Sequence, residues 1–259
     1  MIARRSSSRP GVGVALALAL GWAAAGCAAE DDLIVRPPGG GSGGTGGGSG
    51  SDAGTDGGSN QVSGRLCLLA NLLAPDACSA GAAGGVTVEG GGRITTTDAT
   101  GRFALVTTAT ALVIETEATT TLVAAAVPVR AVDSPFTVPV VKTAVWDDVL
   151  ASVNVPGLAG QAGIVIYVDD AQGTPLSGAV FAALPGEVYA PLYDAGSDTS
   201  WVINNGTGAA GVAMMLGVPA PDATTTYTVL GQTRANQQLT ISNVPARADA
   251  ITFVRVAAE

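Results

Sequence analysis

The 259-residue sequence contains no histidine. That removes the Ser-His-Asp and Cys-His nucleophile pairs, and every zinc site that needs imidazole. Lysine is nearly missing too, Lys142 being the only one, and aromatic residues make up 4% of the chain. Charged residues make up 13%, so the Glu and Lys that usually cover helices are scarce. With 36 glycines and an apolar content dominated by alanine and valine, the composition favours strands and turns. The net charge is −9. An acidic surface repels phosphate backbones, which argues against a nucleic-acid partner.

The first 26 residues have the three parts of an export signal. Arg4, Arg5 and Arg9 form a basic start, Gly11 to Ala25 is uncharged and mostly apolar, and Ala24-Ala25-Gly26 places small residues before Cys27. This arrangement resembles the lipobox of bacterial lipoproteins. The resemblance implies cleavage before Cys27, a thioether-linked diacylglycerol and an acylated amine on that cysteine, and a membrane partner reached through lipid. Each buried methylene contributes about 0.8 kcal/mol, so several chains anchor firmly. Ala28 stands where an aspartate often retains such proteins at the inner membrane, which points to the outer membrane. Loss of Arg4, Arg5 and Arg9 on cleavage takes the net charge from −9 to −12.

Residues 27–61 form the lipidated start and a linker. From Gly39 to Gly58, 12 of 20 residues are glycine and the rest are Ser, Thr, Asp or Ala. Such a stretch buries no apolar surface and is expected to be a disordered tether, with an r.m.s. span of about 25 Å. No Gly-Lys-Ser/Thr follows the glycines, so they do not form a phosphate loop.

From Val62 onward the chain reads as short strands between turns. Leu112 and Ile114 alternate with Val113, Glu115 and Glu117, and Leu239 and Ile241 alternate with Gln238, Thr240 and Ser242. Tyr227 and Val229 alternate with threonines, and Val-rich runs at 86–88, 137–141, 164–168 and 251–256 add strands. A short helix is expected from Trp146 to Val153. The fold class is therefore all-β, most simply two small sandwiches at 62–145 and 163–259, joined by a connector at 146–162.

The two halves share a faint repeat. Gly84-Gly85-Val86-Thr87-Val88 precedes Thr97-Asp98-Ala99-Thr100-Gly101-Arg102-Phe103, and Pro175-Leu176-Ser177-Gly178-Ala179-Val180 precedes Thr207-Gly208-Ala209-Ala210-Gly211-Val212-Ala213. These residues resemble carboxypeptidase regulatory-like domains, the transthyretin-like Greek-key sandwiches. In that family a Gly-Ala-x-Val strand is followed by Thr-Asp-x-x-Gly-x-Phe. The first copy carries the second element, the second copy carries the first, and the second departs at Gly208 and Ala213. The resemblance implies non-catalytic accessory modules, hence no enzyme activity.

After Cys27 only Cys67 and Cys78 remain, an even pair that in an exported domain suggests a disulfide. Two free thiols are the alternative. The carboxylate pairs Asp147/Asp148 and Asp169/Asp170 are sequence neighbours, which point to opposite faces on a strand and so do not make an acid/base couple. Asp169 and Asp170 read better as opening the turn toward Gly173. Asp194 and Asp198 match no known calcium loop, Lys142 reads as a surface charge, and Asn205-Gly206 as a turn. No metal or cofactor is expected. Matching Val86 to Val180 leaves about 16 extra residues before Gly211 in the second copy, containing Tyr189, Tyr193 and Trp201. Two readings remain for them: a ligand loop, with a glycan or protein partner stacking on exposed rings, or an additional hairpin whose rings fill an alanine-rich core. The combined expectation is a non-enzymatic surface lipoprotein with a structural, adhesive or protein-binding role, and carbohydrate binding as the alternative.

Overall fold

The computed structural model describes residues 60–79, 83–197, 199–203 and 205–258. The export signal, Cys27 and the glycine tether lie outside them. The described chain is all-β apart from one helix and a 3-10 turn. It falls within a single unit spanning residues 54–259.

The first repeat contributes β1 (Asn60–Leu69), β2 (Thr87–Gly90), β3 (Arg93–Thr96), β4 (Arg102–Thr107), β5 (Ala111–Thr116), β6 (Ala124–Arg130) and β7 (Phe136–Val141). Helix α1 (Thr143–Ser152) connects it to β8 (Gln161–Asp169), β9 (Val180–Phe181), β10 (Leu192–Ser197), β11 (Ser200–Ile203), β12 (Val212–Pro219), β13 (Thr226–Gln232), β14 (Gln238–Pro245) and β15 (Ala250–Ala257). The expected strands at 112–117, 137–141, 164–168 and 251–256 coincide with β5, β7, β8 and β15, and the expected connecting helix with α1.

Three sheets result, ordered β4-β1-β7, β11-β10-β12-β8-β15-β6-β5-β2-β3 and β14-β13-β9. Their pairing repeats. β1 pairs antiparallel with β4 and parallel with β7, and β8 pairs antiparallel with β12 and parallel with β15. Facing these triplets, β2-β5-β6 and β9-β13-β14 are antiparallel runs. Each repeat is thus a two-sheet sandwich whose chain crosses between sheets.

The sandwiches are fused. β15 pairs in parallel with β6 through Ala250↔Ala124, Ile251↔Ala125 and Thr252↔Ala126, and this turns one sheet from each repeat into a single nine-stranded sheet. β8 is buried along almost its whole length because both of its faces are covered. Ile164, Ile166 and Val168 join the core of the second repeat, while Val165 and Tyr167 face a larger core containing Leu66, Val138 and Trp146. α1 helps to cover this second face, and a Cβ on Gly163 would lie 3.0 Å from the Trp146 ring. Near-continuous apolar strands follow from burial on both faces.

Candidate functional site

The matched turns are built on buried threonines and backbone hydrogen bonds. Thr97 is buried, donates its hydroxyl to Ala83 O (2.6 Å) and accepts from Val86 N (3.0 Å). Thr207 donates to Leu176 O (2.7 Å) and accepts from Ala179 N (3.0 Å). Gly85 N donates to Thr97 O, as Gly178 N does to Thr207 O. The two glycines share a left-handed conformation, φ 75° and 83°, which a side chain would strain. Val86 therefore matches Ala179, one residue earlier than the sequence comparison placed it.

A carboxylate organises each turn. In the first repeat Asp98 Oδ1 accepts from Thr100 N (2.7 Å), Thr100 Oγ1 (2.7 Å) and Arg102 N (2.9 Å). The hydrogen bond from Arg102 N, followed by that from the Thr100 hydroxyl, holds its pKa below the ordinary value. In the second repeat the corresponding residue is Gly208, and the carboxylate comes from Asp194 on β10. Asp194 accepts from Gly208 N (2.7 Å), Ala210 N (3.0 Å) and Val212 N (2.9 Å) while only 2% exposed. A Cβ at residue 208 would collide with the backbone oxygen and carboxylate of Asp194, so the glycine and the borrowed acid belong together. The three hydrogen bonds that Asp194 accepts come from backbone donors, and Asp198 lies outside the described residues.

The extra segment forms the β10–β11 hairpin. Tyr193 is 3% exposed in the core of the second repeat, and its hydroxyl accepts from Phe181 N at 2.9 Å. Tyr189 and Trp201 are partly buried against the other core. The three rings do not form one exposed platform: Tyr193 points inward, to the core on the opposite face. In the same segment, Glu187 Oε2 accepts from Leu184 N at 2.7 Å, while its Oε1 is buried without a partner. Burial raises this carboxyl from 4.5 to about 7.

Cys67 and Cys78 form a disulfide, with Cα atoms 5.0 Å apart. It closes a loop whose Leu72 is fully buried. Asp76 on the loop accepts from Arg255 on β15 at 2.9 Å, and Arg255 also pairs with Asp169 at 3.2 Å. Burial raises the pKa of Asp169, while Arg255 opposes the shift. A cleft of about 410 Å³ opens beside these groups, lined in part by Pro75, Pro128, Pro139, Tyr167 and Arg255. The Tyr167 hydroxyl is buried without a hydrogen-bond partner, and burial holds its pKa well above the ordinary value. The ring stacks on Phe253, with centroids 6.5 Å apart.

Asp170 Oδ1 accepts from Gln172 N and Thr174 N, and its carbonyl accepts from Gly173 N, the turn expected there. Lys142 is exposed immediately before α1. Among the described residues no group of three or more Cys, Asp or Glu could hold a metal ion, and no helix is long and apolar enough to cross a membrane.

No family model matches the chain, and no curated protein sequence matches it. Solved structures do overlap it. The shaft pilin SpaA from Lactobacillus rhamnosus GG does so at 12% identity and a TM-score of 0.23, covering 78% of this chain and 98% of the pilin. A Streptococcal ancillary pilin does so at 14% identity and a TM-score of 0.23, covering 77% of this chain and 62% of that one. The Bacillus anthracis TIE protein gives 9% identity and a TM-score of 0.22, covering 77% of this chain and 33% of that one. Overlaps at these TM-scores assign this chain neither a shared fold nor a shared role.

Proposed function

We propose that the chain is a non-enzymatic lipoprotein of the cell surface, anchored through Cys27, whose fused sandwiches form a stiff body in a structural or adhesive, protein-binding role. The observation that carries this reading is the β6–β15 ladder, which joins the two repeats edge to edge instead of leaving a hinge between them. Across the same seam Arg247 Nε pairs with Glu115 at 2.5 Å, with both side chains partly or largely buried. A body that keeps its shape suits holding or presenting a surface at a distance from lipid. The glycine tether supplies that distance, and the uncharged run before Cys27 supports export. We read the sandwiches as divergent carboxypeptidase regulatory-like modules on the strength of Thr97, Asp98, Gly101 and Phe103 and their matched turn in the second repeat. Outer-membrane placement follows from Ala28.

The test is metabolic labelling with a palmitate analogue, followed by separation of inner and outer membranes. The full chain is expected to take up label and to sediment with the outer membrane, and Cys27→Ala to take up none. Label persisting on Cys27→Ala, or no label on the native chain, rejects the anchor. A turnover found in a broad hydrolase screen and lost on substitution of a cleft residue rejects the non-enzymatic role.

A further inference from the structure

We propose that the free edge of β14 is a strand-addition site and that its occupant is the β14 edge of a second copy, paired antiparallel about a twofold axis. The two repeats correspond position by position. Gly85 matches Gly178, so Val88 matches Phe181, and their ladder partners Thr116 and Gly231 match in turn. Those residues pair with Ala125 and Leu239. Ala124, Ala125 and Ala126 of β6 therefore correspond to Gln238, Leu239 and Thr240 of β14.

In the first repeat this stretch carries the ladder to β15. In the second it borders no strand among the described residues, β14 being the last strand of its sheet. The Thr233 N to Gln237 O bond, at 2.9 Å, sets the alternation of the β13–β14 hairpin. Bonded pairs then fall at Gly231/Leu239, and the main-chain groups of Gln238 and Thr240 turn toward the open edge. The edge that the fold uses internally to join its repeats is thus repeated, unpaired, in the N-terminal part of β14, while Pro245 at the other end of the strand accepts from Thr252 Oγ1 at the seam.

Charge selects the occupant. β9, β13 and β14 contain no Asp, Glu, Lys or Arg, whereas their counterparts β2, β5 and β6 contain Glu89, Glu115 and Arg130. At matched outward positions Glu115 becomes Leu230, which is 53% exposed, and Thr87 becomes Val180, which is 40% exposed. Two copies of a chain with net charge −9 repel over most of their surface and can meet where that charge is missing. Antiparallel pairing places Gln and Thr against Gln and Thr with no like charges opposed, and a twofold contact closes at two copies. The other sheet edges are less suited. β3 and β4 begin with Arg93 and Arg102, Pro139 interrupts β7, and β9 and β11 are two and four residues long.

Sedimentation equilibrium of the full chain in density-matched detergent tests this. The native chain is expected to pass from monomer to dimer mass as concentration rises. Thr240→Lys and Thr240→Glu should each stay monomeric, and an equimolar mixture of the two should regain the dimer. Leu230→Glu installs the residue that the first repeat carries at the matched position, so it is expected to fold, and it should weaken the dimer. Circular dichroism and melting temperature establish that each variant is folded. A native monomer at every concentration, a dimer that survives Thr240→Lys or Thr240→Glu in folded protein, or assembly that grows beyond two copies overturns the proposal.

Discussion

At the scale of single residues, polar groups in the second repeat are rewired without loss of the turn they support. Asp194 reaches from another strand to the backbone donors that Asp98 serves locally in the first repeat. Asp194→Ala leaves three backbone N–H groups without their acceptor, that of Val212 buried and those of Gly208 and Ala210 partly buried, and is expected to cost about 3 kcal/mol in a denaturant titration. The apolar exchange is similar. In the first repeat Gly64 faces Phe103 across a strand pair; at the matching pair Ile166 faces Ala213. Large and small residues trade sides, and the space between strands stays filled. Glu187 gives a pH signature. Its folded pKa, about 7, lies above the ordinary 4.5, so its contribution is fully present below pH 4.5 and is lost as pH rises through about 7. Glu187→Gln keeps an acceptor for Leu184 N and should remove that decline, raising stability at pH 8 by about 1 kcal/mol, since solvent screens a group that is only half-buried. Melting curves at pH 5 and pH 8 for both proteins measure the difference.

At the scale of elements, the disulfide loop and the β10–β11 hairpin are the additions that cover what the sandwiches leave open. Leu72 from the loop is buried in the larger core, and Asp76 ties the loop to Arg255 on β15. Reducing the Cys67–Cys78 bond, or replacing both cysteines by serine, is expected to cost about 3 kcal/mol on loop-closure grounds, with calorimetry as the measurement. Much at this scale was legible from residue patterns. Alternation exposed β5 and β14, the valine runs exposed β7, β8 and β15, and α1 lay where the strand pattern broke. Other parts were not legible for physical reasons. β6 opens with three alanines and contains a proline, a weak strand signature, yet those alanines carry the ladder to β15. The acid serving Gly208 lies 14 residues upstream, on a strand that only the hairpin brings near, so no local motif marks it. The aromatic content of the extra segment was visible, but the direction of the Tyr193 ring depends on strand parity set by pairing with β12.

At the scale of the whole molecule, the repeats share a sheet, and the β6–β15 ladder carries that sheet from one core to the other. Tyr167 and Phe253 face the larger core from strands of the second repeat, so this core draws side chains from both halves. Contiguous packing of this kind unfolds as a unit. Replacing Arg247 by alanine removes the ion pair with Glu115 at the seam and is expected to lower stability by about 1 kcal/mol, without splitting the thermal transition.

Hydrogen exchange at the seam, followed by mass spectrometry, tests the fused body most directly. The amides of Ala124–Ala126 and Ala250–Thr252 that bond across the ladder should exchange only on global unfolding, with the same free energy as those in β8. Seam amides that exchange at a much lower free energy than both flanking cores would mean that the repeats hinge against each other, and would contradict the stiff body on which the functional reading rests.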